Sequence, residues 1–172
     1  EIGIEMINQK RKLSIVFFER EENPKIIYEY DFTTFTGGYI NSPSDLTFRG
    51  VEIDYSKKFF NEMDFNFNYT FNELKSGTLQ RLPKHSFNES ITYNLKNNKQ
   101  LSFIYRYRGK REALGGTEIL NSYGLMDLRY SFSKDKVKFN FWINNIFNKE
   151  YVEILNYSSK GRNLRFGISY EF

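Results

Sequence analysis

The sequence predicts an all-β fold: an antiparallel, up-and-down segment of a transmembrane β-barrel. Three observations predict it. Hydropathy alternates with a period of two along most of the chain, the signature of strands with one apolar and one polar face. The links between these runs alternate between short polar turns and longer loops. Finally, 19% of the 172 residues are aromatic and 27% are charged, a combination that suits a wall with one greasy and one wet face.

Ile2, Ile4 and Met6 alternate with Gly3 and Glu5. Leu13, Ile15 and Phe17 share their run with Val16 and Phe18, so both faces of that strand are apolar in places. Val51, Ile53 and Tyr55 alternate with Glu52 and Asp54, while Arg49 and Thr47 break the parity; a bulge near Gly50 would account for the break. Met63, Phe65, Phe67, Tyr69 and Phe71 oppose Asp64, Asn66, Asn68, Thr70 and Asn72. Phe87, Ile91, Tyr93 and Leu95 oppose Asn88, Ser90, Thr92 and Asn94, with Glu89 on the apolar parity, where a carboxylate is expected only near a rim. Leu101, Phe103, Tyr105 and Tyr107 are followed by Met126, Leu128, Tyr130 and Phe132, then by Val137, Phe139, Phe141 and Ile143. The last run sets Leu164, Phe166, Ile168, Tyr170 and Phe172 against Asn163, Arg165, Gly167, Ser169 and Glu171. That makes about nine strands, each near the length that a tilted strand needs to cross a bilayer.

Tight turns are expected at Asn8–Lys10, Lys58–Glu62, Asn97–Asn98 and Lys134–Lys136. Longer links fall at about 20–38, 75–84, 110–122 and 148–160. Strict alternation puts every short turn at one rim and every long loop at the other, as in outer-membrane barrels. An odd strand number cannot close up and down on itself, so both sheet edges are expected to need further strands from upstream. The opening residues are already in alternation and show no signal peptide, so the chain reads as the C-terminal part of something longer.

Other classes are disfavoured. The net charge of +4 is dispersed and forms no basic block for nucleic acid. With no Cys and a single His, neither a disulfide frame nor a zinc site is expected, and no cofactor. His85 reads as a rim residue rather than a ligand or base, so a barrel enzyme built on a Ser/His/Asp constellation is a poor candidate. A passive porin and a soluble all-β binding module remain as alternatives. Gly37-Gly38 and Gly115-Gly116 read as loop flexibility, since no helix follows either pair.

The end of the chain carries the densest signal. Phe166, Ile168, Tyr170 and Phe172 read as the C-terminal signal taken up by the outer-membrane assembly machinery. Just upstream, the segment from Asn144 to Tyr151 (NNIFNKEY) resembles the N-[LI]-F-[ND]-[KR]-x-Y stretch of TonB-dependent outer-membrane receptors, with Asn145, Phe147, Asn148 and Tyr151 at the defining positions. Gly161-Arg162 then resembles the G-R that opens that family's closing strand. Leu-Pro-Lys-His at 82–85 resembles its P-x-H, Gly50-Val51-Glu52 after Tyr39-Ile40-Asn41 its G-V-E, and Glu1-Ile2-Gly3 its E-x-G. The matches are ordered over essentially the whole chain.

The resemblance implies a plugged barrel of about 22 strands, of which this chain would supply the last nine or so, residues 1–172 lying wholly within the barrel domain. It implies active uptake of a scarce ligand (an iron siderophore, haem or vitamin B12) across the bacterial outer membrane. The partners it implies are lipid and lipopolysaccharide, an N-terminal plug with the earlier strands, TonB acting through that plug, and a surface lipoprotein. The sequence departs from the family at Tyr157-Ser158-Ser159-Lys160, where a proline is common. Its rather short loops favour a compact ligand such as vitamin B12. Arg106, Arg108, Lys110 and Arg111 form a basic cluster where a strand enters a loop; with Tyr157 they are candidate ligand or rim contacts, the alternative being charge that faces the lumen and lipopolysaccharide. Tyr107, Tyr130, Tyr151, Tyr170 and Phe172 are expected in aromatic girdles, and Trp142, on the polar parity, against a plug.

Overall fold

The computed structural model describes residues 1–22, 26–41, 46–60, 62–76, 82–113 and 118–171. Among these, nine strands form one sheet in simple chain order: β1 (Ile2–Asn8), β2 (Arg11–Glu22), β5 (Leu46–Phe59), β6 (Met63–Ser76), β7 (His85–Leu95), β8 (Lys99–Arg108), β11 (Tyr123–Lys134), β12 (Val137–Asn144) and β13 (Asn163–Tyr170). Every neighbouring pair is antiparallel. Two small hairpins interrupt the order, β3 (Ile26–Asp31) with β4 (Thr36–Asn41) and β9 (Arg111–Glu112) with β10 (Ile119–Leu120). Strands β1 and β13 are the two edges of the sheet.

The short links are the ones expected. Asn97 and Asn98 both take left-handed dihedrals (φ 60° and 54°), which gives the hairpin the twist its strands require and suits asparagine. At the first turn the Asn8 side chain accepts from the backbone N–H groups of Lys10 and Arg11 at 3.0 and 2.9 Å. Long and short connections alternate along the sheet, so one rim carries all the turns and the other all the loops.

Among the described residues the sheet has no second layer. Few apolar side chains are buried among the described residues, and those on the nine strands (Phe18, Leu46, Tyr123 and Leu125) all point to the polar face or lie near the loop rim. The apolar face stays open: Ile4, Phe17, Leu164, Phe166, Ile168 and Tyr170 are all more than half exposed. A soluble sandwich would cover such a face with a facing sheet about 10 Å away. Ring pairs run along it instead, such as Phe132–Phe139 and Phe141–Phe166 with centroids 4.6 and 4.9 Å apart. The opposite face is knitted by polar pairs: Asn68 to Asp54 (2.7 Å), Asn94 to Asp64 (2.8 Å) and Thr92 with Ser102 (2.9 Å).

Several sequence expectations are corrected. The pairing at Gly50 is regular; the register shift lies between Thr47 and Phe48, where Lys75 of β6 is the extra residue. Gly50 is required for a different reason: a Cβ there would meet the backbone carbonyl of Phe71 first, and would also sit 2.5 Å from Cζ of the Phe18 ring that lies over it. Thus Leu13, Ile15 and Phe17 belong to the apolar face, opposite Tyr55, Ile53 and Val51, while Phe18 packs edge-on against Phe48 on the polar side. Gly37 and Gly38 are not a flexible loop but part of β4, and a Cβ at Gly37 would collide with the Tyr28 hydroxyl. Glu89 is not at a rim: it stands between Phe67 and Tyr105, in the middle of the apolar band. Gly115, Gly116 and Phe172 lie outside the described residues.

Candidate functional site

The loop rim above β8, β11 and β12 is the most organised part of the molecule. Asp127, on the polar face of β11, is its hub. One carboxylate oxygen accepts from Arg106 Nη2 at 2.7 Å and the other from the backbone N–H of Asn145 at 2.8 Å. Ile146 N donates to Met126 O at 2.8 Å, so the chain leaving β12 is bound back to β11. The Asp127 side chain is 12% exposed, which strengthens these charge-assisted bonds over their solvent-exposed equivalents.

The motif residues build the next layer. Asn145 and Asn148 both take left-handed dihedrals (φ 52° and 51°), a conformation that asparagine tolerates better than most residues. The Asn145 amide brackets residue 149, accepting from Lys149 N at 2.9 Å and donating to Lys149 O at 2.8 Å. Asn148 Oδ1 accepts from Arg162 N at 2.8 Å, at the point where the chain turns into β13. A Cβ at Gly161 would lie 2.8 Å from that same oxygen, so glycine lets the two segments close. Asn145, Asn148, Gly161 and Arg162 are therefore one staple joining the exit of β12 to the start of β13. Phe147 sits outside it and is 75% exposed.

Tyr151 is not in a girdle. Its ring packs 4.6 Å from that of Tyr123, a buried residue that shares the polar face with Asp127. Its phenol is pushed above the ordinary tyrosine pKa, first by burial and then by the negative charge of Glu153. Arg111 lies across Tyr123 at 5.4 Å and donates through Nη2 to the carbonyls of Val152 and Glu153 at 3.2 and 3.0 Å. It is buried, and its Nη1 has no partner among the described residues.

The expected basic cluster is thus divided. Arg106 is neutralised by Asp127, and Arg111 holds the 152–153 backbone. Arg108 donates to Asn88 Oδ1 and Tyr107 O, and Lys110 stays exposed. Arg108 and Arg111 nevertheless both border Tyr123. A groove of about 710 Å³ opens between the start of β11 and the 148–161 segment, walled by Leu120, Tyr123, Tyr151, Val152, Leu155 and Tyr157. Tyr157 is 72% exposed and presents its ring there. Such a groove offers aromatic faces with backbone polar groups, the usual make-up of a small-molecule site. Among the described residues no cluster of His, Cys, Asp or Glu could hold a metal ion.

Sequence reading found Asn145, Asn148 and Tyr151 through their motif but missed Asp127 and Tyr123. A lone carboxylate on β11, one diagonal step from Arg106, was the available signal. Phe166, Ile168 and Tyr170 line the apolar face of the edge strand β13, opposite Phe141, Phe139 and Val137. His85 opens β7 with its Nδ1 2.8 Å from the Tyr69 hydroxyl.

One open apolar face, one hydrogen-bonded polar face and loops gathered at one rim define the wall of an outer-membrane β-barrel. The chain belongs to the family described as TonB dependent receptor-like, beta-barrel, which it matches over residues 1–146. It is a bacterial outer-membrane protein. No curated protein matches the sequence. Solved structures agree on the fold. The siderophore receptor PirA from Acinetobacter baumannii superposes with a TM-score of 0.77 at 15% identity over 99% of this chain and 31% of its own. The FrpB iron transporter from Neisseria meningitidis gives 0.76 at 16% identity, covering 99% and 29%. The pyoverdine receptor FpvA from Pseudomonas aeruginosa PAO1 gives 0.72 at 18%, covering 99% and 28%. The chain therefore spans about a third of the length of these relatives.

Proposed function

We propose that this chain is the C-terminal portion of the barrel domain of a TonB-dependent receptor that actively imports a scarce ligand across the outer membrane, and that it has no chemistry of its own. The observation that carries the reading is a family barrel wall whose polar face is lined with Asn, Asp, Ser and Arg, suited to a plugged lumen rather than a packed core. The plug, the earlier strands and the TonB contact belong to the rest of the protein. The proposed ligand is a metal-containing compound of the siderophore, haem or vitamin B12 class. Relatives described as siderophore, iron and copper transporters favour the metal-linked end of that range.

In this reading the rim groove contacts the ligand through Tyr157 and Tyr151, while Arg108 and Lys110 supply positive potential that draws an anionic ligand. The Asp127–Asn145 staple keeps the groove's floor in place. The C-terminal residues Phe166, Ile168, Tyr170 and Phe172 serve as the signal for barrel assembly.

The test is uptake of labelled ligands by cells carrying the full-length receptor, with and without TonB. Uptake that requires both the receptor and TonB supports the proposal. A steady TonB-independent flux of unrelated small solutes would identify a porin and overturn it.

A further inference from the structure

One row on the polar face sets two arginines around a single tryptophan. Arg129, Trp142 and Arg165 stand directly opposite one another across β11, β12 and β13. The guanidinium carbons lie 6.0 and 5.5 Å from the Trp142 ring, one on each neighbouring strand. Gly167 makes room: a Cβ there would come within 3.2 Å of the indole. Both arginines are exposed, and no carboxylate reaches either among the described residues. Lys138, also exposed and on the same face nearer the turns, adds a third cation.

Elsewhere the charges of the polar face have partners on the sheet itself. Arg106 meets Asp127, Lys12 meets Glu5, Asn94 meets Asp64, and Asn68 meets Asp54. The acidic residues of matching parity on these three strands do not serve the row. Asp127 is occupied by Arg106 and Asn145, and Glu171 lies beyond the end of β13, level with Lys136. The complement must therefore come from outside the sheet. Lipid is excluded, because the row is on the face that lipid does not meet. The row also lies inside the staple at Asn145, beneath the loops that carry the groove.

We propose that the Arg129–Trp142–Arg165 row is a docking platform for a carboxylate-bearing segment of the plug, an Asp or Glu held between the two guanidinium forks with its chain resting on the indole. This rests on the plugged-receptor reading above. Two arginines can bind one carboxylate with parallel N–H···O bonds, and their stacking on the indole holds the forks ready, lowering the ordering cost. In a lumen shielded from bulk water such a pair outweighs the same contact at a surface.

The test uses the full-length receptor in outer membranes, with Asn140→p-benzoylphenylalanine, next to Trp142 on the same face of β12, as a photo-crosslinking probe and mass spectrometry to map the adduct. The expected adduct is with a plug peptide, within a few residues of an Asp or Glu. Crosslinking through the same probe should fall at least tenfold in an R129E/R165E background and return when the mapped acid is changed to Lys. The milder R129Q/R165Q pair guards against misfolding: it should also lower the yield while the barrel keeps its heat-modifiable migration on gels. Adducts only to a captured ligand, only to other barrel strands, or none at all would overturn the platform. TonB-dependent uptake by the same strain, measured separately, shows whether the receptor reading still stands.

Discussion

Asp127 joins two strands that sequence alone keeps apart: its carboxylate takes Arg106 from β8 on one oxygen and the backbone of Asn145, past the end of β12, on the other. Replacing it by Ala leaves the half-exposed Arg106 without its ion pair and the Asn145 N–H without an acceptor. Allowing for that exposure, the expected loss is about 2 kcal/mol of local stability. Hydrogen exchange in full-length D127A should rise across residues 145–162 and leave β6 and β7 unchanged. Asp127→Asn, which keeps an acceptor, should fall between.

At Gly50 the constraint is steric. Gly50→Val would press its Cβ against the backbone carbonyl of Phe71, which cannot yield easily, and into the Phe18 ring 2.5 Å away, which can. Overpacking of this kind costs about 1–3 kcal/mol. The urea midpoint of the receptor in detergent should drop, and Phe18→Ala in the same chain should recover part of the loss.

Glu89 points the other way. It stands among Phe67 and Tyr105 on the lipid-facing band, where a carboxylate is unfavourable. Glu89→Leu is expected to stabilise the barrel by about 1–2 kcal/mol, less than the figure for a basic residue at that depth. An unchanged or lowered unfolding midpoint would show that something other than lipid covers this position.

The β3–β4 hairpin supplies a pH dependence. Asp31 accepts from Thr33 N at 2.7 Å and from the Thr34 hydroxyl at 2.8 Å. These bonds, the Thr33 N–H first, hold its carboxyl below the usual range. A depressed carboxylate stabilises the turn above its unfolded pKa, and that contribution is lost as pH falls through the folded one. The turn should therefore be closed at neutral pH and open in acid, while Asp31→Asn should be nearly insensitive to pH. A fluorine NMR label at Phe35, beside the turn, reads the change.

The sheet was largely legible because a period of two is a local signal: each strand from β6 onward shows its faces in its own residues. Strand β2 was not, because Phe18 is apolar on the polar face and only its partner Gly50 explains why. The β3–β4 hairpin was hidden inside a link, since Gly37-Gly38 reads as a break until Tyr28 is seen lying over it. At the rim, the motif residues announced themselves by type and spacing. Their purpose did not, because the staple needs Asp127, which is distant in sequence, and the partners of Arg106 and Arg111 lie on other strands and loops.

The most direct test concerns which face meets lipid. The chain contains no cysteine, so single cysteines at Phe139, Asn140, Phe141 and Trp142 of β12 can be introduced with little background, in the full-length receptor stripped of any others. Spin labels at these sites, reconstituted in bilayers, report collisions with oxygen from the lipid and with a water-soluble nickel chelate. Strict alternation is expected, with oxygen favoured at 139 and 141 and the two other sites shielded from lipid. Loss of the alternation, or the opposite phase, would contradict it and make the apolar face an interior one.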